Sequence, residues 1–270
     1  MRFLPTLVVA TLLCWHGLTA AAAALPSVHL EELTTTELVV ALRDGHTTII
    51  IPVGGVEQSG PHMALGKHNL RVYLLASRVA QQLGNAIVAP VLAYVPEGRI
   101  DPPTEHMRFA GTISIPEPVF KGVLEAAARS FRQHGFVDIV LIGDHGGYQG
   151  ALKAVATKLS SEWAGSRARV HFIEAYYRSA QTTFVAQLKA AGLSDAQIGS
   201  HAGAADTALQ LAAAPASVRP DRFEQAAREG RAGGTLGDPR AATAALGQPG
   251  LDSIVRQTVA EIRAAVSSAR

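Results

Sequence analysis

Three short segments of this 270-residue chain combine histidines with carboxylates and glycines. They span residues 52–69, 143–148 and 200–207 and hold four of the ten histidines. Glutamate, aspartate and histidine are side chains that bind zinc and manganese in proteins. Neighbouring glycines permit tight turns and a close approach of the backbone to a ligand. The three segments therefore predict a metal site.

A set of turn and helix-capping residues would have a similar composition, because polar side chains often satisfy the free N–H groups at helix starts. Two other interpretations are excluded by spacing. Residues 145–150 (HGGYQG) have histidine where a dinucleotide-binding loop begins with glycine. Residues 199–203 (GSHAG) place serine one position too early for the nucleophile motif of serine hydrolases. Metal binding and capping are the two interpretations left open at this point.

The hydrophobic pattern predicts the elements that must position these segments. Apolar β-branched runs alternate with segments of helical periodicity. This alternation indicates an α/β fold, with a mainly parallel sheet covered by helices on both faces. Ligands of such sheets bind beyond the carboxyl ends of the strands, where the first two polar segments lie. The predicted strands are residues 47–53, 86–91, 137–142 and 168–173; the predicted helices are 70–83, 119–134, 151–163, 182–191, 205–214 and 251–266, with a long loop over 230–250.

Composition and charge limit the classes of protein to which the chain could belong. Hydrophobic residues make up 48% and charged residues 17% of the chain, which is typical of a globular protein. The formal net charge is only +2, and no run of basic residues marks a nucleic-acid interface. The single cysteine, Cys14, excludes an internal disulfide and a cysteine-based zinc finger. The bulky Leu13 before it argues against a lipoprotein.

The first 24 residues have the layout of a secretory signal peptide. Arg2 supplies a positive charge, residues 7–13 form an apolar core, and small residues lead to Ala24. The apolar core is short for a membrane-spanning helix. We therefore expect a signal peptide over residues 1–24 and one domain over residues 25–270. The mature protein would be periplasmic or secreted, with no membrane anchor.

Five motifs, in order, resemble those of the creatininase (creatinine amidohydrolase) family over about residues 33–265. The family motif P-V-G-x-x-E-Q-H-G-P-H corresponds to residues 52–62 and continues to position 68. The other motifs correspond to residues 106–112 (HMRFAGT), 143–148 (GDHGGY), 201–208 (HAGAADTA) and 237–247 (GDPRAATAALG). The resemblance implies a creatininase-like α/β fold, a homo-oligomer such as a hexamer, and hydrolysis of a non-peptide C–N bond at a centre of two zinc or manganese ions.

The chain departs from the family pattern at the metal ligands. The resemblance assigns Glu57 and His145 as ligands, but His68 stands where an aspartate bridges the two metals. The other ligand positions of the second metal are also changed, to Ser59 and to Gly147 or Ala204. Replacing a bridging carboxylate by imidazole removes a negative charge, so two divalent ions would repel more strongly. We therefore expect one divalent metal per chain, zinc in preference to manganese, held by Glu57, His68 and His145.

The remaining residues predict a metal-dependent hydrolase. Two histidines and one glutamate, with an open fourth position, form a known catalytic zinc arrangement. The resemblance assigns an acid–base role to His201, and Asp206 matches a family glutamate, so either could transfer protons. We expect a small-molecule substrate, an amide or cyclic amide other than creatinine. Two alternatives are a catalytically inactive protein that binds a small ligand in this pocket and a structural oligomer subunit.

Overall fold

Four strands form the centre of the molecule in a computed structural model, which describes residues 25–268. They are β1 (Thr48–Val53), β2 (Ala86–Val88), β3 (Asp138–Gly143) and β4 (Arg169–Phe172). Their order in the sheet is β2-β1-β3-β4, and every neighbouring pair is parallel. This confirms the predicted α/β fold with a parallel sheet. The expected signal peptide lies outside the described residues.

The described residues form ten α-helices, most of which connect or cover the strands. They are α1 (Thr35–Arg43), α2 (Lys67–Leu83), α3 (Glu117–Gln133), α4 (Gln149–Glu162), α5 (Ala175–Gln181), α6 (Thr183–Ala190), α7 (Asp195–Ile198), α8 (Ala204–Ala213), α9 (Phe223–Glu229) and α10 (Ala244–Ser268). Short 3-10 helices at Glu105–Arg108 and Gly146–Tyr148 border the candidate site. Among these described helices, none combines the length and apolarity needed to cross a bilayer.

The sheet separates two apolar cores, because successive side chains of a strand point to opposite faces. Ile50 and Val140 face one core, which also contains buried residues of α2, α5, α6, α8 and α10. Ile49 and Ile139 face the other, together with residues of α1, α3 and α4. The helices therefore cover both faces, as predicted, and leave the carboxyl edge of the sheet for polar groups.

The predicted loop over residues 230–250 is wrong in its last part, because α10 begins at Ala244 and contains Pro249. A Cβ on Gly247 would lie 1.9 Å from the carbonyl oxygen of Ala208 in α8. The glycine that suggested a loop thus allows two helices to pack closely.

The start of α2 also differs from the prediction, which placed it at Leu70. The helix begins at Lys67, so that His68 and Arg71 lie in its first two turns. Strand β2 ends at Val88 and not at residue 91, because Pro90 has no N–H to donate to a ladder.

Candidate active site

All five residues predicted for the site line one cavity of about 270 Å³. Glu57 follows β1 and His145 follows β3, whereas His68 lies in the first turn of α2. His201 precedes α8, and Asp206 lies in its first turn. The site thus forms beyond the carboxyl ends of the two central strands, as is usual for a parallel sheet.

Glu57 lies at the centre of the site and is fully buried. Its Oε1 is 2.7 Å from His68 Nε2 and 3.3 Å from Lys67 Nζ. Its Oε2 is 3.3 Å from His106 Nε2 and 3.4 Å from His145 Nε2. Burial alone would raise the pKa of Glu57, but the positive charges of Lys67 and His68 hold it well below its usual value. Glu57 is therefore a buried anion with a different set of neighbours at each oxygen.

The neighbours of Oε2 belong to a group that we call the metal cluster: Glu57, Glu97, His106 and His145. Each offers one ligand atom, and these atoms all lie within 4.8 Å of one another. Glu97 comes from the loop after β2, and a Cβ on Gly55 would lie 2.8 Å from Glu97 Oε1. Gly55 also has a φ of +148°, a conformation that side chains rarely adopt. Glycine at position 55 therefore makes room for the Glu97 carboxyl group.

The chemistry of the metal cluster fits a divalent cation. Oε2 of Glu57 and both carboxyl oxygens of Glu97 are buried with no hydrogen-bond partner among the described residues, a costly arrangement unless another group binds them. Burial lowers the pKa of His145 to about 4, which leaves its imidazole neutral at pH 7. Burial, and then the charge of Glu57, raise the pKa of Glu97 to about 9. A cation would relieve this repulsion by binding both carboxylates.

His68 lies on the other side of Glu57, between two carboxylates. Its Nε2 is 2.7 Å from Glu57 Oε1 and its Nδ1 is 2.5 Å from Asp144 Oδ2. Burial and Lys67 would lower the pKa of His68, but Glu57 and the hydrogen bond to Asp144 raise it. In this conformation both ring nitrogens are engaged, so that His68 orients Glu57. Its role as a metal ligand stays a prediction.

Carboxylates and basic side chains alternate in a closed ring next to the metal cluster. We call this set the charge ring; its members, in order, are Glu57, Lys67, Asp206, Arg71, Asp144 and His68. Lys67 Nζ lies 3.0 Å from Asp206 Oδ2, and the two terminal nitrogens of Arg71 lie 3.2 Å from Asp206 and 2.7 Å from Asp144. Burial would lower the pKa of Lys67, but Asp206 and Glu57 raise it above its usual value. Each carboxylate of the ring thus binds two basic groups.

His201 faces the site through its Nδ1. Its Nε2 lies 2.9 Å from the backbone carbonyl oxygen of Gln58 and 3.2 Å from the side-chain amide nitrogen of the same residue. In the tautomer that donates to the carbonyl oxygen, Nδ1 presents a lone pair; it lies 3.7 Å from Glu57 Oε1. Burial, and then Lys67, lower the pKa of His201 to about 3. The fourth histidine of the three segments, His62, lies 2.9 Å from Thr207 Oγ1 and does not line the cavity.

Asp206 is held in place by ion pairs and accepts a hydrogen bond from the Ala202 backbone N–H. Burial would raise its pKa, but Lys67 and Arg71 hold it well below the usual value. Both carboxylate oxygens of Asp206 are thus engaged in ion pairs, with Lys67 and Arg71, whereas His201 directs Nδ1 into the site, and this geometry favours His201 over Asp206 for proton transfer.

The cavity is lined by both charged and apolar side chains. All six residues of the charge ring line it, as do Glu57, His106 and His145 of the metal cluster, and α5, α6, α8 and α10 contribute apolar or aromatic residues. The apolar residues include Phe184, Val185, Leu209, Leu236 and Ile254. A ligand with one polar and one apolar part would match this lining.

Five residues of the site were not predicted as site residues from the sequence: Lys67, Arg71, Glu97, His106 and Asp144. His106 belongs to a motif that the sequence resemblance includes, but the motif alone assigns it no role. Lys67 precedes the helix predicted from residue 70, so its place in the first turn of α2, where a cation opposes the helix dipole, is visible only in the structure. Glu97 lies beyond the second predicted strand, outside the three polar segments and the five motifs, so no sequence pattern selects it.

Comparison with known proteins relates the chain to one family. A family model described as "Creatininase: Creatinine amidohydrolase" matches residues 31–262. Over 119 residues the chain is 34% identical to a mycofactocin precursor peptide peptidase of Mycolicibacterium smegmatis, covering 42% of this chain and 45% of that protein. It is 30% identical over 119 residues to a creatinine amidohydrolase of Pseudomonas putida, covering 44% and 45%. The matched segments thus span less than half of these two relatives.

Solved structures of creatininase resemble this fold over most of the chain. A crystal structure of creatinine amidohydrolase (creatininase) has a TM-score of 0.70 and 25% identity, covering 88% of this chain and 97% of that chain. A creatininase variant described as the Zn-Zn type has a TM-score of 0.69 and 26% identity, covering 88% and 97%. One described as creatininase Mn has a TM-score of 0.69 and 26% identity, covering 88% and 98%.

Proposed function

The chain belongs to the creatininase family of amidohydrolases, and we propose that it is a metal-dependent enzyme that hydrolyses the C–N bond of a small amide or cyclic amide. The observation that carries this proposal is the metal cluster, in which buried oxygens of Glu57 and Glu97, without hydrogen-bond partners among the described residues, lie beside the neutral imidazole of His145. An inactive ligand-binding protein would have no need to keep such groups unpaired, so we do not favour that alternative.

We propose that the four residues of the metal cluster hold one divalent ion, with zinc preferred and manganese the alternative. Bound there, the ion would supply a Lewis acid that polarises an amide carbonyl and acidifies water. Glu57 provides a permanent negative charge, and His68 orients that carboxylate from its other side. The chain therefore contributes both the ligands and the groups that fix their direction.

We assign proton transfer to His201. Hydrolysis of an amide moves one proton from water and delivers one to the departing nitrogen. In the tautomer that we propose, Nε2 donates to the backbone carbonyl of Gln58 and the lone pair on Nδ1 faces the site. Asp206 would act indirectly, by holding Lys67 and Arg71.

The cavity supports a substrate with an apolar part. Its volume of about 270 Å³ admits a small molecule, and apolar side chains form part of its lining. One relative is described as a creatinine amidohydrolase and another as a mycofactocin precursor peptide peptidase. We therefore propose an amide with an apolar substituent, whose size is limited by the volume of the cavity.

Export and assembly are further proposals. The layout of residues 1–24 supports export to the periplasm or the medium. Exposed apolar side chains, among them Leu65, Leu70 and Tyr73, support a homo-oligomer, for which the sequence resemblance suggests a hexamer.

The test is metal analysis followed by an assay. Purified full-length protein is stripped with a chelator, reconstituted with zinc or manganese, and supplied with a panel of linear and cyclic amides with apolar substituents. We expect metal-dependent release of amine, lost in Glu57→Gln and lowered about 10²-fold or more in kcat in His201→Ala. His134→Gln, at an exposed position, is the control. Absence of bound metal, or equal activity in all variants, would contradict the proposal.

A further inference from the structure

Lys67 is a fully buried lysine whose ammonium group lies between two carboxylates. Its Nζ is 3.3 Å from Glu57 Oε1 and 3.0 Å from Asp206 Oδ2, and its side chain has no exposed surface. A buried ammonium group is unfavourable unless it is paired, and a cation at a helix start is unfavourable next to the helix dipole. Both effects destabilise Lys67, the first residue of α2, so the two neighbouring carboxylates must offset them.

Glu57 connects this ammonium group to the metal cluster. Oε2 faces His106 and His145, which belong to the metal cluster, whereas Oε1 faces the ammonium group of Lys67 and the ring of His68. A carboxylate that directs one oxygen to each of two cation positions has the arrangement of a bridging ligand in a two-metal site. Lys67 Nζ lies at the second of these positions.

Two carboxylates face the ammonium group of Lys67: Glu57 Oε1 lies 3.3 Å and Asp206 Oδ2 lies 3.0 Å from Nζ. Carboxylate oxygen is a ligand that zinc and manganese accept, so these two groups would attract a divalent ion if the lysine were absent. The ammonium group excludes such an ion by occupying the space and by charge repulsion.

We propose that Lys67 is a built-in cation that replaces the second divalent ion of a two-metal centre and so limits this site to one metal. The inference rests on the proposed function in assuming that the metal cluster binds one ion. Lys67 has no exposed surface and both of its ion-pair partners are carboxylates of the site, so we assign it as a positioning residue that fixes Glu57 and Asp206.

The experiment measures bound metal per chain by elemental analysis, after full-length protein is reconstituted with excess zinc and separated from free metal. We expect one equivalent in the native chain and two in Lys67→Met, which keeps the length of the side chain and removes its charge. Lys158→Met is the matched control, because it also removes a lysine paired with a carboxylate, Glu125, but on the surface. It should bind one equivalent.

If Lys67→Met is destabilised, its melting temperature with and without zinc provides a second measurement. Because a second ion would restore the missing positive charge, zinc should raise its melting temperature beyond the level given by one equivalent. The double variant Lys67→Met with Asp206→Asn removes a cation and an anion together, so it should fold and return to one equivalent.

Three results would overturn the inference while leaving the proposed function intact. These are two equivalents in the native chain, one equivalent in folded Lys67→Met, or two in the double variant. No bound metal in the native chain would instead overturn the proposed function, and the inference with it.

Discussion

At the scale of single residues, the two oxygens of Glu57 separate two kinds of positive partner. One oxygen faces Lys67 and His68, and the other faces His106 and His145. His68 and His106 are both within hydrogen-bond or ion-pair range of Glu57, yet only His106 belongs to the metal cluster. Residue type alone does not distinguish them, but their positions predict different effects on metal binding.

The first prediction compares His106→Gln with His68→Gln. Loss of a direct ligand should lower zinc affinity by more than the about 10–100-fold typical of a residue that only orients a ligand. We therefore expect a larger loss in His106→Gln, measured by competition with a chelator of known affinity. The exposed His134→Gln should retain native affinity. The reverse order, with the larger loss in His68→Gln, would restore the ligand set predicted from the sequence.

The second prediction concerns the pH dependence of the metal-free protein. The pKa of Glu97 is about 9 in the folded chain, against an ordinary value of 4.5, so folding favours its protonated form. Its contribution to stability is fully present below pH 4.5 and is lost as the pH rises towards 9. With a chelator present, the melting temperature should therefore fall between pH 6 and pH 9, and the fall should be less steep in Glu97→Gln than in the native chain. Equal slopes would contradict the raised pKa of Glu97.

The candidate site could be predicted from the sequence only in part. Glu57, His68, His145, His201 and Asp206 follow strands or flank helices at recognisable positions, and all five line one cavity. Glu97 could not be selected, because it reaches the site through the shape of its loop and the space left by Gly55. The pairing of Lys67 with Asp206 depends on the packing of α2 beside α8, which no local pattern specifies.

At the scale of elements, the sheet was predictable and the helix contacts were not. Buried strands such as β1 and β3 have continuous apolar sequences, which determine their class and their parallel pairing. The sequence predicts a start of α10 that is too late, because glycine and proline usually indicate loops when only neighbouring residues are considered. Their effect here depends on α8, whose backbone lies so close to Gly247 that no side chain fits.

The third prediction tests that close contact. Gly247→Ala would place a Cβ 1.9 Å from the Ala208 carbonyl oxygen, so the two helices must separate. We expect a loss of about 1–3 kcal/mol in the free energy of unfolding, as for overpacked cores. Gly122→Ala, within α3, is the matched control because nothing lies within 4 Å of its added Cβ. That variant should gain about 0.5–1 kcal/mol from the higher helix propensity of alanine. Urea denaturation measures both, and equal effects would contradict the packing argument.

At the scale of the whole molecule, the metal cluster joins segments that are distant in the chain. Glu57 follows β1, Glu97 follows β2, His106 lies in a short helix and His145 follows β3. The charge ring adds the starts of α2 and α8. These groups converge only when the sheet and the helices on both faces are assembled, so the unfolded chain cannot offer the same site.

The fourth prediction follows from that difference between the folded and unfolded states. A metal that binds only the folded chain stabilises it by about 2.7 kcal/mol when its free concentration is 100 times Kd. For a protein of this size that corresponds to a rise of roughly 5–10 °C in melting temperature. We expect this rise when zinc is added to chelator-treated protein and monitored by thermal unfolding. Glu57→Gln should lose most of it, whereas the exposed His134→Gln should keep it. A rise that is equal in the native chain and Glu57→Gln would indicate zinc binding elsewhere, because Glu57 connects the metal cluster with the charge ring.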